Sequence, residues 1–146
     1  MRTLIAIAAI AAIAAAAPAS PATSPAAARL VVQQYYAALN RGDYRTAYAL
    51  WDQNGASSGK SYAAFAKGFA QTASTRVVTG TPTNPDAGMS QRQIDVPVDV
   101  YAKLKNGRQQ HFRGTYTLHR VVAGVGAPAS QQSWHLSSAK LTQLSR

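Results

Sequence analysis

Tyr35-Tyr36-Ala37-Ala38-Leu39-Asn40-Arg41-Gly42-Asp43-Tyr44, continued by Ala47-Tyr48-Ala49-Leu50-Trp51, decides the fold, because it encodes the end of one helix, a corner and the start of another. From Ala26 onward, Leu30, Val31 or Val32, Tyr35, Tyr36 and Leu39 recur at three- and four-residue intervals, the period of an amphipathic helix. Gly42 stands where a left-handed residue closes a helix. Asp43 behind it is a good N-cap, its carboxylate accepting a backbone N–H that the next helix leaves unpaired. The second helix is expected to carry Tyr44, Ala47, Tyr48, Leu50 and Trp51 until Asn54-Gly55 stops it. After a polar linker from Gln53 to Lys60, Ser61 caps a third, short helix with Tyr62, Phe65 and Phe69.

Beyond these helices the period changes to two. Ile94, Val96, Val98, Val100, Ala102 and Leu104 alternate with polar residues, and Phe112, Tyr116 and Leu118 continue the pattern past Asn106-Gly107. A two-residue turn at Asn106-Gly107 would set Val100 opposite Arg113 and mix the faces. A three-residue loop, Lys105-Asn106-Gly107 with Gly107 left-handed, sets Val100 opposite Phe112, Val96 opposite Tyr116 and Ile94 opposite Leu118. That register makes one face apolar and turns Asp95, Asp99, Tyr101, His111 and Arg113 to the other. It also aims the Pro97 nitrogen away from the Phe112 strand, so a strand containing Val77 and Val78 can pair near Val100 but not continuously past Pro97. A last strand begins near Ser133, with a bulge expected at Ser137-Ser138 to bring Trp134, Leu136, Ala139, Leu141 and Leu144 into phase.

Residues 1–19 read as a Sec signal peptide: Arg2 is the positive start, Leu4 to Ala17 a roughly 14-residue apolar core, and Ala17-Pro18-Ala19 the cleavage signal. The apolar run is short for a membrane span and is ended by prolines, so no integral span is expected after processing. There is no cysteine, which excludes a lipoprotein anchor, disulfides and thiolate chemistry. A periplasmic or secreted bacterial protein is the expectation, with a Pro/Ala/Ser linker at 20–26 and one domain at 27–146. The 146-residue chain carries 15 Lys and Arg against 5 Asp and no Glu, a net charge of +10. The basic residues are dispersed, which argues against nucleic acid and for a basic surface that attracts anionic lipid, polysaccharide or acidic partners.

Helices followed by long antiparallel hairpins make an α+β order. Tyr-x-x-x-Leu-x-x-Gly-Asp in the first helix, the second helix ending near Trp51 and the closing Trp-x-Leu resemble the nuclear transport factor two-like superfamily, with its SnoaL-like cyclases, ketosteroid isomerase and scytalone dehydratase. The resemblance covers about Ala27 to Leu144 and implies a curved sheet, a cystatin-like cone, wrapped around N-terminal helices. It further implies a pocket between them, for which Tyr35, Tyr48, Trp51, Phe65, Phe69, Phe112, Tyr116, Arg120 and Trp134 are the candidate lining, and a convex sheet face on which relatives pair, here Asp99, Tyr101, His111 and Arg113. The fold hosts unrelated functions, so the site must be argued separately.

Catalytic machinery is not apparent. Tyr35 stands seven residues before Gly42, the position of the oxyanion donor that ketosteroid isomerase carries, but the isomerase's base falls where this chain has Gln53-Asn54-Gly55. Asp52 is the nearest acid and is expected to be solvated at a helix end; Asp95 and Asp99 turn outward. His111 and His119, roughly 26 Å apart along one strand, cannot share an ion, and with His135 they are expected at the surface. No Gly-x-Ser-x-Gly elbow, phosphate loop or zinc spacing is present. Arg120 is the charged residue that alternation places on the concave side, where it could snorkel or hold a ligand's carboxylate or phosphate. The sequence therefore points to a non-catalytic exported domain binding a small apolar or anionic ligand, or an envelope protein, with no cofactor and no metal; the alternative is an isomerase, cyclase or dehydratase using the cone. A homodimer is the further partner expectation.

Overall fold

The computed structural model describes residues 22–144; the signal-peptide reading of 1–19 lies outside them. Helix α1 spans Pro25–Asn40 and starts inside the stretch read as linker, because Ser24 accepts the Ala27 N–H and Pro25 sits in the first turn, where its missing N–H costs nothing. Its buried face is Ala28, Val32, Tyr35, Tyr36, Ala38 and Leu39, while Leu30 is half exposed. Leu30 belongs to the wrong stripe: two residues from Ala28 is over half a turn away. Gly42 is left-handed, at φ 71°, and Asp43 caps α2 (Tyr44–Ala49) through the Thr46 N–H.

α2 is shorter than its periodicity suggests. Leu50 to Asp52 leave the helix to run along the sheet, with Leu136 N–H donating to the Leu50 carbonyl and Asp52 N–H to that of Leu136. Trp51 thereby forms a parallel bridge with Leu136. A 3-10 turn, Gln53–Ser58, follows, and α3 (Tyr62–Lys67) is capped by Ser61 as expected.

One antiparallel sheet holds β1 (Thr72–Thr79), β3 (Gln91–Leu104), β4 (Gln109–Val121) and β5 (His135–Gln143) in that order, with β2 (Thr83–Gly88) also against β3. The β3–β4 register is the bulged one, Val100 with Phe112, Val96 with Tyr116, Asp99 with Arg113, and Gly107 is left-handed at φ 87°. Pro97 divides the neighbour of β3 in two: β1 stops at Thr79 opposite Val98, and β2 resumes with Thr83 opposite Asp95. β2 itself is fully exposed and has no apolar alternation, so its sequence carries no strand signal. The phase change in β5 falls at Ser137, between the Thr117–Ser138 and Leu118–Leu136 pairs. Ile94, Val96, Val98, Val100, Tyr116, Leu118 and Leu136 form the buried sheet face against α1. No helix among the described residues is long and apolar enough to cross a membrane.

Candidate binding site

The interior between α1 and the sheet is built of aromatic rings in mutual contact. Tyr35 lies at the centre, its ring centroid 5.1 Å from Tyr36, 6.1 Å from Trp51, 6.3 Å from Phe65 and 6.1 Å from Tyr116. Most of these contacts are edge-to-face, the arrangement ring quadrupoles favour. The Tyr36 and Tyr116 hydroxyls share a buried hydrogen bond of 2.6 Å. Burial holds all three phenols neutral: Tyr36 is pushed up to about 12, and Tyr35 and Tyr116 are likewise raised well above the ordinary tyrosine value by loss of solvation. Tyr35 therefore occupies the position implied for an oxyanion donor, but is enclosed by rings.

The other residues named for the pocket are spread along the molecule. Tyr48 packs on Phe65 and Tyr62 and donates to the Lys60 carbonyl. Phe69 stacks on Tyr44 near the C-terminal end of α1, and Phe112 is partly buried against the core. Trp134 sits at the opposite end of α1, its indole N–H donating to the Ser24 carbonyl, with the Arg120 guanidinium 5.1 Å from its ring. A helix of this length separates its ends by about 24 Å, so Phe69 and Arg120 do not share a pocket. Arg120 borders a separate cleft of about 230 Å³.

Asp52 and His119 correct the sequence reading. Asp52 is paired rather than free in solvent; its carboxylate is 2.6 Å from His119 Nδ1, and both side chains are largely covered. The cause is the pairing of Leu50–Asp52 with β5, a long-range contact that no local pattern announces. His119 Nε2 is also bonded, to the Gln91 side-chain oxygen. Gln53 and Asn54, just beyond Asp52, both have φ of 56°, a left-handed conformation that costs energy for residues other than glycine. These groups line a polar cleft of about 330 Å³ with Gln131 and His135. His135 is partly covered, its Nδ1 beside the Ser133 carbonyl.

On the convex face Asp99 accepts from Arg113 Nε at 2.8 Å and pairs with His111 at 2.7 Å. These two hydrogen bonds, His111 first, hold its carboxyl below the usual carboxylate range. Tyr101 is stacked between His111 and the Arg76 guanidinium, each 4.3 Å away. Among the described residues no cluster of His, Asp or Glu could hold a metal ion.

A curved antiparallel sheet closed over N-terminal helices, with the ring cluster between them, is the nuclear transport factor two-like fold, and the chain adopts it. It is similar to a candidate scytalone dehydratase from Novosphingobium aromaticivorans, with a TM-score of 0.55 at 11% identity over 80% of each chain. A candidate dehydratase of the NTF2-like family from Streptomyces avermitilis gives a TM-score of 0.51 at 15% identity over 83% of this chain and 99% of that one. The Kfla4162 protein from Kribbella flavida gives 0.54 at 17% identity over 81% and 88%. Identities this low carry the fold and no chemistry. Neither the protein-family models nor the curated proteins give a match to the sequence.

Proposed function

We propose that this chain is an exported, non-catalytic domain of the bacterial cell envelope that binds a small ligand from its surface, with the cone interior serving as core. The observation that carries the reading is the ring cluster: Tyr35, Tyr36, Trp51, Phe65 and Tyr116 are each under a tenth exposed and contact one another. Among the described residues Thr79 is the one buried polar side chain apart from the aromatics, so no carboxylate or imidazole that could move a proton is buried with them. Export rests on the leader-like residues 1–19 and on a strongly basic composition suited to anionic surroundings. Native mass spectrometry of the chain purified from its host's envelope tests both parts. The reading expects a mass beginning at Ser20 and a small molecule held noncovalently; a full-length mass without adduct would overturn it.

A second reading, an enzyme of the isomerase or dehydratase type, is favoured by one observation, the Asp52–His119 pair beside a polar cleft and a strained backbone. It predicts turnover of a small hydroxylated or carbonyl substrate that falls about 100-fold or more in Asp52→Asn. Unchanged turnover in that variant would dismiss the pair as catalytic.

A further inference from the structure

The cleft where α1 begins is lined by Pro25, Asp86, Arg92, Ile94, Arg120 and Trp134. Arg92 and Arg120 are directly opposite each other on β3 and β4, and the alternation that buries Ile94 and Leu118 puts both on the concave side. Like charges directly opposite repel, and a negative group between or beside them relieves the repulsion. Among the described residues no carboxylate is paired with either arginine. The chain's five carboxylates are Asp43, Asp52, Asp86, Asp95 and Asp99. Asp43, Asp52, Asp95 and Asp99 are engaged elsewhere, by Thr46, His119, Thr117 and Arg113 respectively. Asp86 borders the cleft, with one oxygen accepting from the Ala87 N–H.

Arg120 is the more pointed case. Its Nε is buried and has no hydrogen-bond partner. A guanidinium N–H withdrawn from water without an acceptor is costly, and native structures seldom leave one so. Loss of solvation, then repulsion from Arg92, makes the charged form of Arg120 harder to keep than usual. Arg92 Nη1 donates to the Met89 and Gln91 carbonyls, and its side chain lines the cleft. The positive end of the α1 dipole borders the same space through Pro25. Around the two cations the walls are apolar or aromatic: Trp134, Ile94, Pro25 and Pro85.

We propose that this cleft binds an amphiphilic small anion, its carboxylate or phosphate between Arg92 and Arg120 and its apolar body against Trp134 and Ile94. The inference rests on the binding-domain reading above and specifies its ligand class. A planar guanidinium offers two parallel donors to a carboxylate or phosphate, and Trp134 at its flank gives a flat apolar surface for the rest of the molecule. Both halves are needed: a bare inorganic anion lacks the apolar body, and a neutral aromatic leaves the Arg120 Nε unpaired.

The test is a titration of the folded chain with phenyl phosphate, followed by NMR of the arginine Nε–H and tryptophan indole N–H groups. Inorganic phosphate and benzyl alcohol are the two half-ligand controls. Saturable binding is expected, with shifts at Arg120 and Trp134, and with both controls binding more weakly. Arg120→Gln and Arg92→Gln should each weaken it about tenfold or more, whereas Arg76→Gln, which removes the same charge from the convex face, should leave it unchanged. Arg92 is only partly covered, so its variant provides the reading if Arg120→Gln fails to fold. Equal affinity in wild type and Arg92→Gln, or no movement of the Arg120 Nε–H at millimolar phenyl phosphate, overturns the inference. An uncharged molecule retained from the envelope alongside an unresponsive Arg120 would sink this site and leave the binding-domain reading standing.

Discussion

At the Tyr36–Tyr116 contact two hydroxyls that could each have ended a productive pocket are instead spent on each other. Removing one leaves the other buried without a partner, so Tyr36→Phe should lower stability by about 1–3 kcal/mol in urea unfolding. Tyr36→Phe with Tyr116→Phe together should cost less than the two singles added, because no orphan hydroxyl remains. The same burial gives a pH signature. Folded Tyr36 keeps its proton up to about 12, while the unfolded chain releases it near 10. The native state then holds more protons than the unfolded one in that window, so stability is intact below about 10 and falls above it, by about 1.4 kcal/mol per pH unit for each such tyrosine. Unfolding midpoints measured on rising pH check this; a flat profile to 12 would mean that the phenols are solvated.

Among the elements, β5 leaves β4 no room for a side chain at Gly114, where a Cβ would run into the Lys140 backbone carbonyl. Backbone cannot give way as a side chain can, so Gly114→Ala should destabilise by about 3 kcal/mol, seen in the same urea experiment. The segment Leu50–Asp52 is held to β5 by two backbone hydrogen bonds and by the Asp52–His119 pair. His119→Gln should therefore speed amide exchange at Asp52 and at Gly55, whose N–H bonds back to Trp51 and Asp52. Element identity was legible wherever a local period or cap existed. Ser61, Asp43, Gly107 and Pro97 each act where the chain spells them, and the apolar alternation selects the β3–β4 register. What local reading missed came from pairing over distance: α2 gives up Leu50 and Trp51 to a strand more than eighty residues away in sequence, and the polar strand β2 exists only because β3 offers it an edge beyond Pro97.

The whole molecule is an aromatic-filled cone with a basic exterior and a small cationic cleft where α1 begins. The site was half legible. Alternation put Arg120 on the concave side, and the Trp-x-Leu signature put Trp134 near the sheet's end, but both were grouped with Phe69 and Tyr48, which the length of α1 keeps apart. Arg92 carries no local signal, because its importance lies in standing opposite Arg120 with no ion pair to either among the described residues, a fact about register and charge inventory rather than about any motif. A structural interior is set apart from a functional rim, and native mass spectrometry of Tyr35→Phe and Arg120→Gln, each purified from the host envelope, tests that division most directly. Tyr35→Phe should retain the noncovalent ligand seen on the wild type, and Arg120→Gln should lose it. Loss of the ligand in Tyr35→Phe with retention in Arg120→Gln would place the ligand inside the cone and contradict the account.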